Sequence, residues 1–200
     1  VTLPVANPFA LFSDWHGVAC QKVRGASYSP PFPHIPRPGI AVGGHCIPSY
    51  PPFYLWNDPA ATVVSAARSA NAAMPAHVVK TLAKIHGDLK GQKVVVLGAA
   101  YRGGVKETAF SGVFPTVAAL KESGALVSVH DPMYTDDELV HYGFVPYHYG
   151  DVVDAAIVQA DHAQYHDLVL TDLPGLKTIL DGRDITDETK WVGIRYHVVG

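Results

Sequence analysis

A chain with a helical first part and a parallel α/β second part is predicted by three observations. Beyond residue 90, short apolar runs alternate with stretches of helical composition. Before residue 88 the sequence is rich in helix formers and proline instead. Between the two lies an alanine-rich stretch, residues 59–86, long enough to connect them or to form a dimer contact.

The elements are expected in this order. Phe9, Phe12, Trp15 and Val23 recur at helical spacing within residues 6–24. Two short helical pieces are therefore expected, interrupted at Gly17 and with their aromatic side in the core. From Pro30 to Pro52 stand eight of the sixteen prolines, so an ordered loop is expected there. Proline fixes φ and lacks a donor, which disfavours both helix and central strand. Pro59 then opens the long helix, and Pro75 is expected to kink or divide it near Met74.

"KVVVLG" (93–98), "LVSVHD" (126–131), "FVPY" (144–147), "AAIVQA" (155–160) and "TILDG" (178–182) read as strands, and "WVGIRY" adds a sixth. Strands alternating with helices imply right-handed crossovers, a parallel sheet covered on both faces, and ligands at the carboxyl ends of the strands. The expected architecture is a helical middle region with a cysteine loop over residues 1–88. A Rossmann-like parallel-sheet domain follows over residues 89–200.

Composition bounds the function. With 48% hydrophobic and 16% charged residues in 200, the chain has ample material for a core. No apolar run reaches membrane-spanning length and no leader pattern opens the chain, so a cytoplasmic location is expected. A net charge of −3 without blocks of either sign excludes general attraction to nucleic acid or anionic membrane. Cys20 and Cys46 form no CxxC pattern, and sparse cysteine fits a reducing compartment. His162 and His166 share a helical spacing, but no third ligand accompanies them, so no metal is expected.

After the first strand comes "GAAYRGGVKET", which matches neither GxGxxG nor a P-loop. Asp131, ending the second strand, stands where an acidic residue would bind a cofactor ribose. Tyr101 and Arg102 put an aromatic face and a fixed cation at a strand end, suited to stacking on a base or gripping phosphate. The alternative is that Arg102 is an ordinary surface residue and Tyr101 packs on the next helix. Arg183, in "LDGRD", is a second cation just past a strand, where an ordinary turn arginine is the alternative.

Cys46 lies in "PGIAVGGHCIPSYPP" (38–52). Gly43 and Gly44 permit close backbone approach and offer N–H groups to an oxyanion, while prolines limit motion. A thiol so placed suits nucleophilic chemistry. His45 is adjacent, but neighbouring side chains often diverge. A buried free cysteine is the structural alternative.

These residues resemble the UDP-glucose/GDP-mannose dehydrogenase family, and most of all its UDP-N-acetylhexosamine (UDP-N-acetylmannosamine) branch. The resemblance rests on "ANPFAL" (6–11), "RPGIAVGGHCIP" (37–48), "ARSANAAMP" (67–75), "VVVLGAAYRGGVKET" (94–108), "HDP" (130–132), "ADHAQY" (160–165) and "DGR" (181–183). It covers the middle and carboxyl-terminal portion of that family. The resemblance implies oxidation of the C6 alcohol of a UDP-sugar to a carboxylate, with two NAD as acceptors and a cysteine thioester on the way. It makes Cys46 the nucleophile, puts Gly43, Gly44 and Arg37 near the sugar, and puts Tyr101, Arg102 and Arg183 at the nucleotide. It also implies a homodimer through the middle helices and a place in polysaccharide biosynthesis. The family's NAD-binding domain precedes the matching portion, so this chain alone is expected not to turn over.

Three departures stand out. The family usually carries aspartate four residues after the cysteine, where this chain has Tyr50. A phenol is no carboxylate base near neutral pH. The branch's His-Pro-Arg segment is replaced by Pro30, Pro31 and Phe32, and a common family arginine by Ala109. They motivate a second reading, a non-catalytic nucleotide-sugar-binding or dimerisation module.

Overall fold

Lys93–Leu97 is a run of β-branched and leucine side chains with no polar alternation after Lys93, which suits a strand covered on both faces. It forms β1. In the computed structural model, which describes residues 7, 10–11, 13–20, 22 and 37–199, four more strands follow. These are β2 (Leu126–His130), β3 (Ala155–Val158), β4 (Thr178–Asp181) and β5 (Arg195–Val198). Their order across the sheet is β2-β1-β3-β4-β5, with every pairing parallel. This is the Rossmann-like α/β arrangement.

The helices are α1 (Cys46–Asn57), α2 (Thr62–His86), α3 (Val113–Glu122) and α4 (Asp136–His141). A capping box starts α4, where the Thr135 side chain accepts from the Glu138 amide and the Glu138 side chain accepts from the Thr135 amide. Single 3₁₀ turns, Ala163–Asp167 and Glu188–Lys190, replace helices after β3 and β4. No helix among the described residues is long and apolar enough to cross a membrane.

Alternate residues of each strand point to opposite faces, and this divides the core in two. Val94, Val96, Ile157 and Leu180 pack with Met74, Val78 and Leu82 of α2, and with Ala10 and Ile40. Val95, Leu97, Val158 and Ile179 pack with Tyr147, Tyr165, Leu173 and Trp191. Residues from before and after position 88 thus share one apolar cluster, and Ile40 is fully buried in it.

Several elements differ from expectation. Residues 46–52 are helical rather than loop, although Pro51 and Pro52 lie inside α1. Proline's fixed φ is a helical value, and Pro48 sits in the first turn, where an N–H has no helical partner anyway. Pro51 and Pro52 each remove one helical hydrogen bond, but α1 is largely exposed and water can serve the freed carbonyls. Pro75 does not divide α2, which is continuous over 25 residues. Residues 144–147 are not a strand; Pro146 makes a single bridge to Val129, since it has no N–H to extend a ladder. The last strand is Arg195–Val198, four residues later than its expected start. Gly17 does break the first helical stretch, at φ +64°. Trp15, however, is 77% exposed rather than core, and Ala10, Ser13 and Cys20 are buried instead. Phe9, Phe12, Val23 and residues 30–36 lie outside the described residues.

Candidate functional site

The chain leaves β1 toward β2 on one side and later returns to place β3 on the other. Loops after β1 and β3 therefore diverge, opening a crevice at the carboxyl ends of those strands, the place where open parallel sheets hold ligands. The loop after β1, residues 98–104, is fixed there from three directions. The Gly98 amide donates to the His130 carbonyl at 2.7 Å. The Gly103 amide donates to Asp161 Oδ1 at 2.7 Å, so closely that a Cβ at Gly103 would collide with the Asp161 carbonyl. Asp131 Oδ2 accepts from the Ala99 amide at 2.8 Å, the Ala100 amide at 3.0 Å and His162 Nε2 at 3.1 Å. Its Oδ1 accepts from the Met133 amide at 2.9 Å.

Asp131 is therefore buried and fully engaged. Burial pushes its carboxyl up, but His162 and the Met133 and Ala100 amides outweigh this and hold it below the usual carboxylate range. The carboxylate is not available to ribose hydroxyls, and the ribose-binding expectation for Asp131 fails. Buried His162 accepts the Gly104 amide at Nδ1, 3.4 Å away, and so donates through Nε2. It is a structural lock, and among the described residues no three metal-ligating side chains cluster.

Tyr101 and Arg102 ride on this loop. Arg102 is exposed, lies 5.8 Å over the Tyr101 ring, and makes no ion pair among the described residues. Arg183 follows β4 and turns inward. Its Nε donates to the Gln159 carbonyl at 2.9 Å and its Nη2 to the Tyr101 carbonyl at 3.2 Å. Burial pulls its pKa below the ordinary guanidinium value, opposed by the Asp161 and Asp181 carboxylates. Arg183 thus ties the loops after β1, β3 and β4 together.

Residues 37–45 run across these strand ends. A Cβ at Gly39 would lie 2.8 Å from Arg183 Nη1, and one at Gly182 would collide with the Ile40 side chain. A Cβ at Gly43 would lie 2.7 Å from both the Phe110 carbonyl oxygen and Tyr101 Cβ. Only glycine permits that approach. The Gly44 amide donates to the Ala109 carbonyl at 2.8 Å, which removes it from the expected oxyanion donors. His45 Nε2 lies 3.2 Å from Glu107 Oε2. The Ala109 amide and the His45 ring together hold the Glu107 carboxyl below its ordinary value. Arg37 donates to the Asp184 carbonyl at 3.2 Å. Ala41 has φ +139°, a strained value for an L residue, of the kind that costs about 1–3 kcal/mol.

Cys46 is exposed and begins α1. His45 supplies no side-chain cap to the first turn of α1. The thiol opens on a cleft of about 560 Å³ between α1 and α2, lined also by Ile47, Tyr50, Tyr54, Val64 and Arg68. Tyr50, in the place of the expected carboxylate, lines this cleft and is 66% exposed.

Of the residues singled out in the sequence, Tyr101, Arg102, Arg183, Gly43 and Gly44 meet at one crevice edge, with Cys46 two residues further on. Arg37 instead holds a turn carbonyl. Sequence reasoning missed Arg68, Glu107 and a buried pair of asparagines, Asn7 and Asn71, behind the cysteine loop. The asparagines did carry a signal. Asn71 interrupts an alanine-rich helix, where asparagine is a poor helix former with no local reason to be present.

A crevice at the switch point of a parallel α/β sheet is where the doubly wound class of proteins holds nucleotides. Residues 95–188 match the UDP binding domain of the UDP-glucose/GDP-mannose dehydrogenase family. The chain belongs to that family. It is 28% identical to a UDP-N-acetyl-D-mannosamine dehydrogenase of Methanocaldococcus jannaschii, across all of this chain and 48% of that protein. It is 30% identical to one from Pyrococcus horikoshii, again across all of this chain and 48% of the relative. A solved structure of the UDP-D-ManNAc dehydrogenase of P. horikoshii superposes with a TM-score of 0.79 at 27% identity, covering 99% of this chain and 48% of that one. The chain spans about half the length of these relatives.

Proposed function

We propose that this chain is the part of an NAD-dependent UDP-sugar 6-dehydrogenase that grips the nucleotide and captures the oxidised sugar on Cys46. The observation that carries the reading is the docking of the glycine-rich cysteine loop onto the Tyr101–Arg102 loop. Gly43 and Gly44 pack against Tyr101, and a backbone hydrogen bond joins Gly44 to Ala109. A nucleotide held by Arg102 and stacked near Tyr101 would extend its sugar toward the start of α1.

There the Cys46 sulfur attacks the C6 aldehyde carbon. The C–S bond forms as the carbonyl π pair moves to oxygen, which N–H groups at the start of α1 would stabilise. The resulting thiohemiacetal would become a thioester only on loss of its C6 hydride to NAD held in another part of the protein. Release of that thioester requires water to attack the same carbon, with the C–S bond breaking and the sulfur regaining a proton. Tyr50 offers a phenol for that step rather than a carboxylate.

NAD does not fit residues 93–198. The loop after β1 lacks the glycine fingerprint, and Asp131 is saturated by its own backbone. The hydride acceptor is accordingly assigned to another part of the protein. A homodimer through α1 and α2 is part of the same proposal, supported by the exposed Phe53, Trp56 and Val63. Light scattering tests it.

The test of the main reading is thermal unfolding of this chain with ligand. UDP at about a hundred times its Kd should stabilise by about 2.7 kcal/mol, a rise in Tm of roughly 5–10 °C, while NAD leaves it unchanged. Stabilisation by NAD alone overturns the assignment.

Tyr50 favours a second reading, a binding module that has lost its chemistry. Full-length protein producing NADH from UDP-N-acetylmannosamine, UDP-N-acetylglucosamine or UDP-glucose, with activity abolished by Cys46→Ala, excludes it. No turnover with any of the three establishes it.

A further inference from the structure

The strained Ala41 lies five residues before Cys46, and its neighbours on both sides are held by buried side-chain amides. Asn71, on α2, is 8% exposed. Its Oδ1 accepts from the Val42 amide at 2.8 Å, and its Nδ2 donates to the Val42 carbonyl at 3.4 Å. Asn71 Oδ1 also accepts from Asn7 Nδ2 at 3.2 Å, and Asn7 Oδ1 accepts from the Gly39 amide at 3.2 Å. The two asparagines thus bracket Ala41, one fastening Gly39 and the other Val42.

A side chain that accepts from the N–H and donates to the C=O of one residue needs both an acceptor and a donor; an amide carries both, whereas an ionised carboxylate can only accept. A strained backbone persists only where its surroundings over-determine it, and such strain collects where geometry serves function. The helix adds a second peculiarity. Pro75, four residues after Asn71, has no N–H to offer the Asn71 carbonyl, so one ladder bond is missing in the turn that carries Asn71.

We propose that Asn71, seconded by Asn7, is a positioning residue for Cys46. It fixes the path of residues 39–42 so that the thiol emerges at the start of α1 in one place. Asn71 touches no reacting atom. The proposal rests on Cys46 as the nucleophile only for its catalytic consequence, and the test separates the two.

Cys46 is exposed and Cys20 buried, so a trifluoromethyl ketone reagent labels Cys46 alone, with Cys46→Ala as the assignment control. Fluorine NMR of the labelled chain is expected to give one narrow line. Asn71→Ala should split that line or broaden it at least twofold, at a temperature where circular dichroism reports a folded protein. Asn71→Asp, which keeps the acceptor and loses the donor, should give a smaller change, as should Asn7→Ala. Val79→Ala removes a buried side chain from α2 eight residues past Asn71 and should leave the line narrow.

A wild-type line in both Asn71→Ala and Asn71→Asp overturns the proposal, and so does equal broadening in Val79→Ala. In full-length protein, Asn71→Asp should lower kcat about tenfold with KM for the UDP-sugar within twofold. An altered line with unchanged kcat upholds the positioning and overturns the nucleophile reading instead.

Discussion

The loop after β1 and the helix carrying Cys46 lie at the same edge of the sheet, yet they are held in opposite ways. In residues 98–104 the backbone amides of Gly98, Ala99, Ala100, Tyr101, Gly103 and Gly104 all have named acceptors. In α1 only Pro48 is buried, two helical hydrogen bonds are missing, and the capping position has no side-chain bond. The first region spends its polar groups on shape, leaving Arg102 outside the network. The second leaves a thiol and a phenol exposed. Holding and acting are assigned to different side chains, and each can be attacked separately.

The largest effect is expected where acting is concentrated. Cys46→Ala in full-length protein should reduce 6-dehydrogenase activity at least about a thousandfold, equivalent to about 4 kcal/mol of transition-state stabilisation. Stability should move by less than about 0.5 kcal/mol, since the side chain is exposed. Retained activity would end the thioester reading.

Asp131→Ala should show the converse. It strips the acceptor from three backbone amides and a buried histidine, and should cost about 3 kcal/mol in urea melts. The stabilisation by UDP should vanish with it. A variant that is destabilised but binds UDP normally would separate the lock from the ligand grip.

Acid should loosen the holding side first. Burial pushes the His130 pKa down to about 4, so the fold disfavours its charged form. Its contribution is complete above the unfolded value of 6.5 and is lost as pH falls through about 4. For Asp14, burial raises the pKa, but His197 and His77 outweigh it and leave the group at about 2. Its contribution is complete above 3.8 and is lost between there and about 2. Melts at descending pH should therefore show two successive losses of about 1–3 kcal/mol each. His130→Gln should flatten the first alone.

The smallest effect falls on the fold in Arg102→Ala. Unliganded Tm should stay within about 1 °C of wild type, because an exposed surface change away from any packed feature moves stability little. UDP affinity should fall about tenfold, the worth of one charge-assisted phosphate contact. A large loss of unliganded stability would move Arg102 to the holding side.

The sheet was legible because Val94, Val95, Val96 and Leu97 can hardly be anything but a buried strand, and four further apolar runs followed at suitable spacing. The edges were less so. "FVPY" is a short apolar run like the true strands, but Pro146 removes the donor that a ladder would need. α1 was hidden because rules for proline describe its average penalty, and an exposed helix tolerates that penalty where water serves the freed carbonyls. Tyr101, Arg102 and Arg183 were legible at strand ends because parallel sheets gather those ends together. Asp131 was misread because one position after β2 can serve a ligand or its own backbone, and only His162 and the Ala99 and Ala100 amides tell which. Asn71 was passed over because its partner, Val42, is 29 residues away in sequence.

Ile40 gives the site a further property, one of tolerance to change. Its side chain lies against Gly182, just past β4, and belongs to the same apolar cluster as the strands. An insertion or deletion within residues 39–45 would pull that side chain out and open a void in the core. From Ile47 to Trp56 the helix is mostly solvent-facing, and its side chains can be exchanged with little consequence for folding. Anyone redesigning this protein has a permissive decade of residues immediately after the thiol and a forbidding one immediately before it. Tyr50, the departure from the family pattern, sits in the permissive stretch.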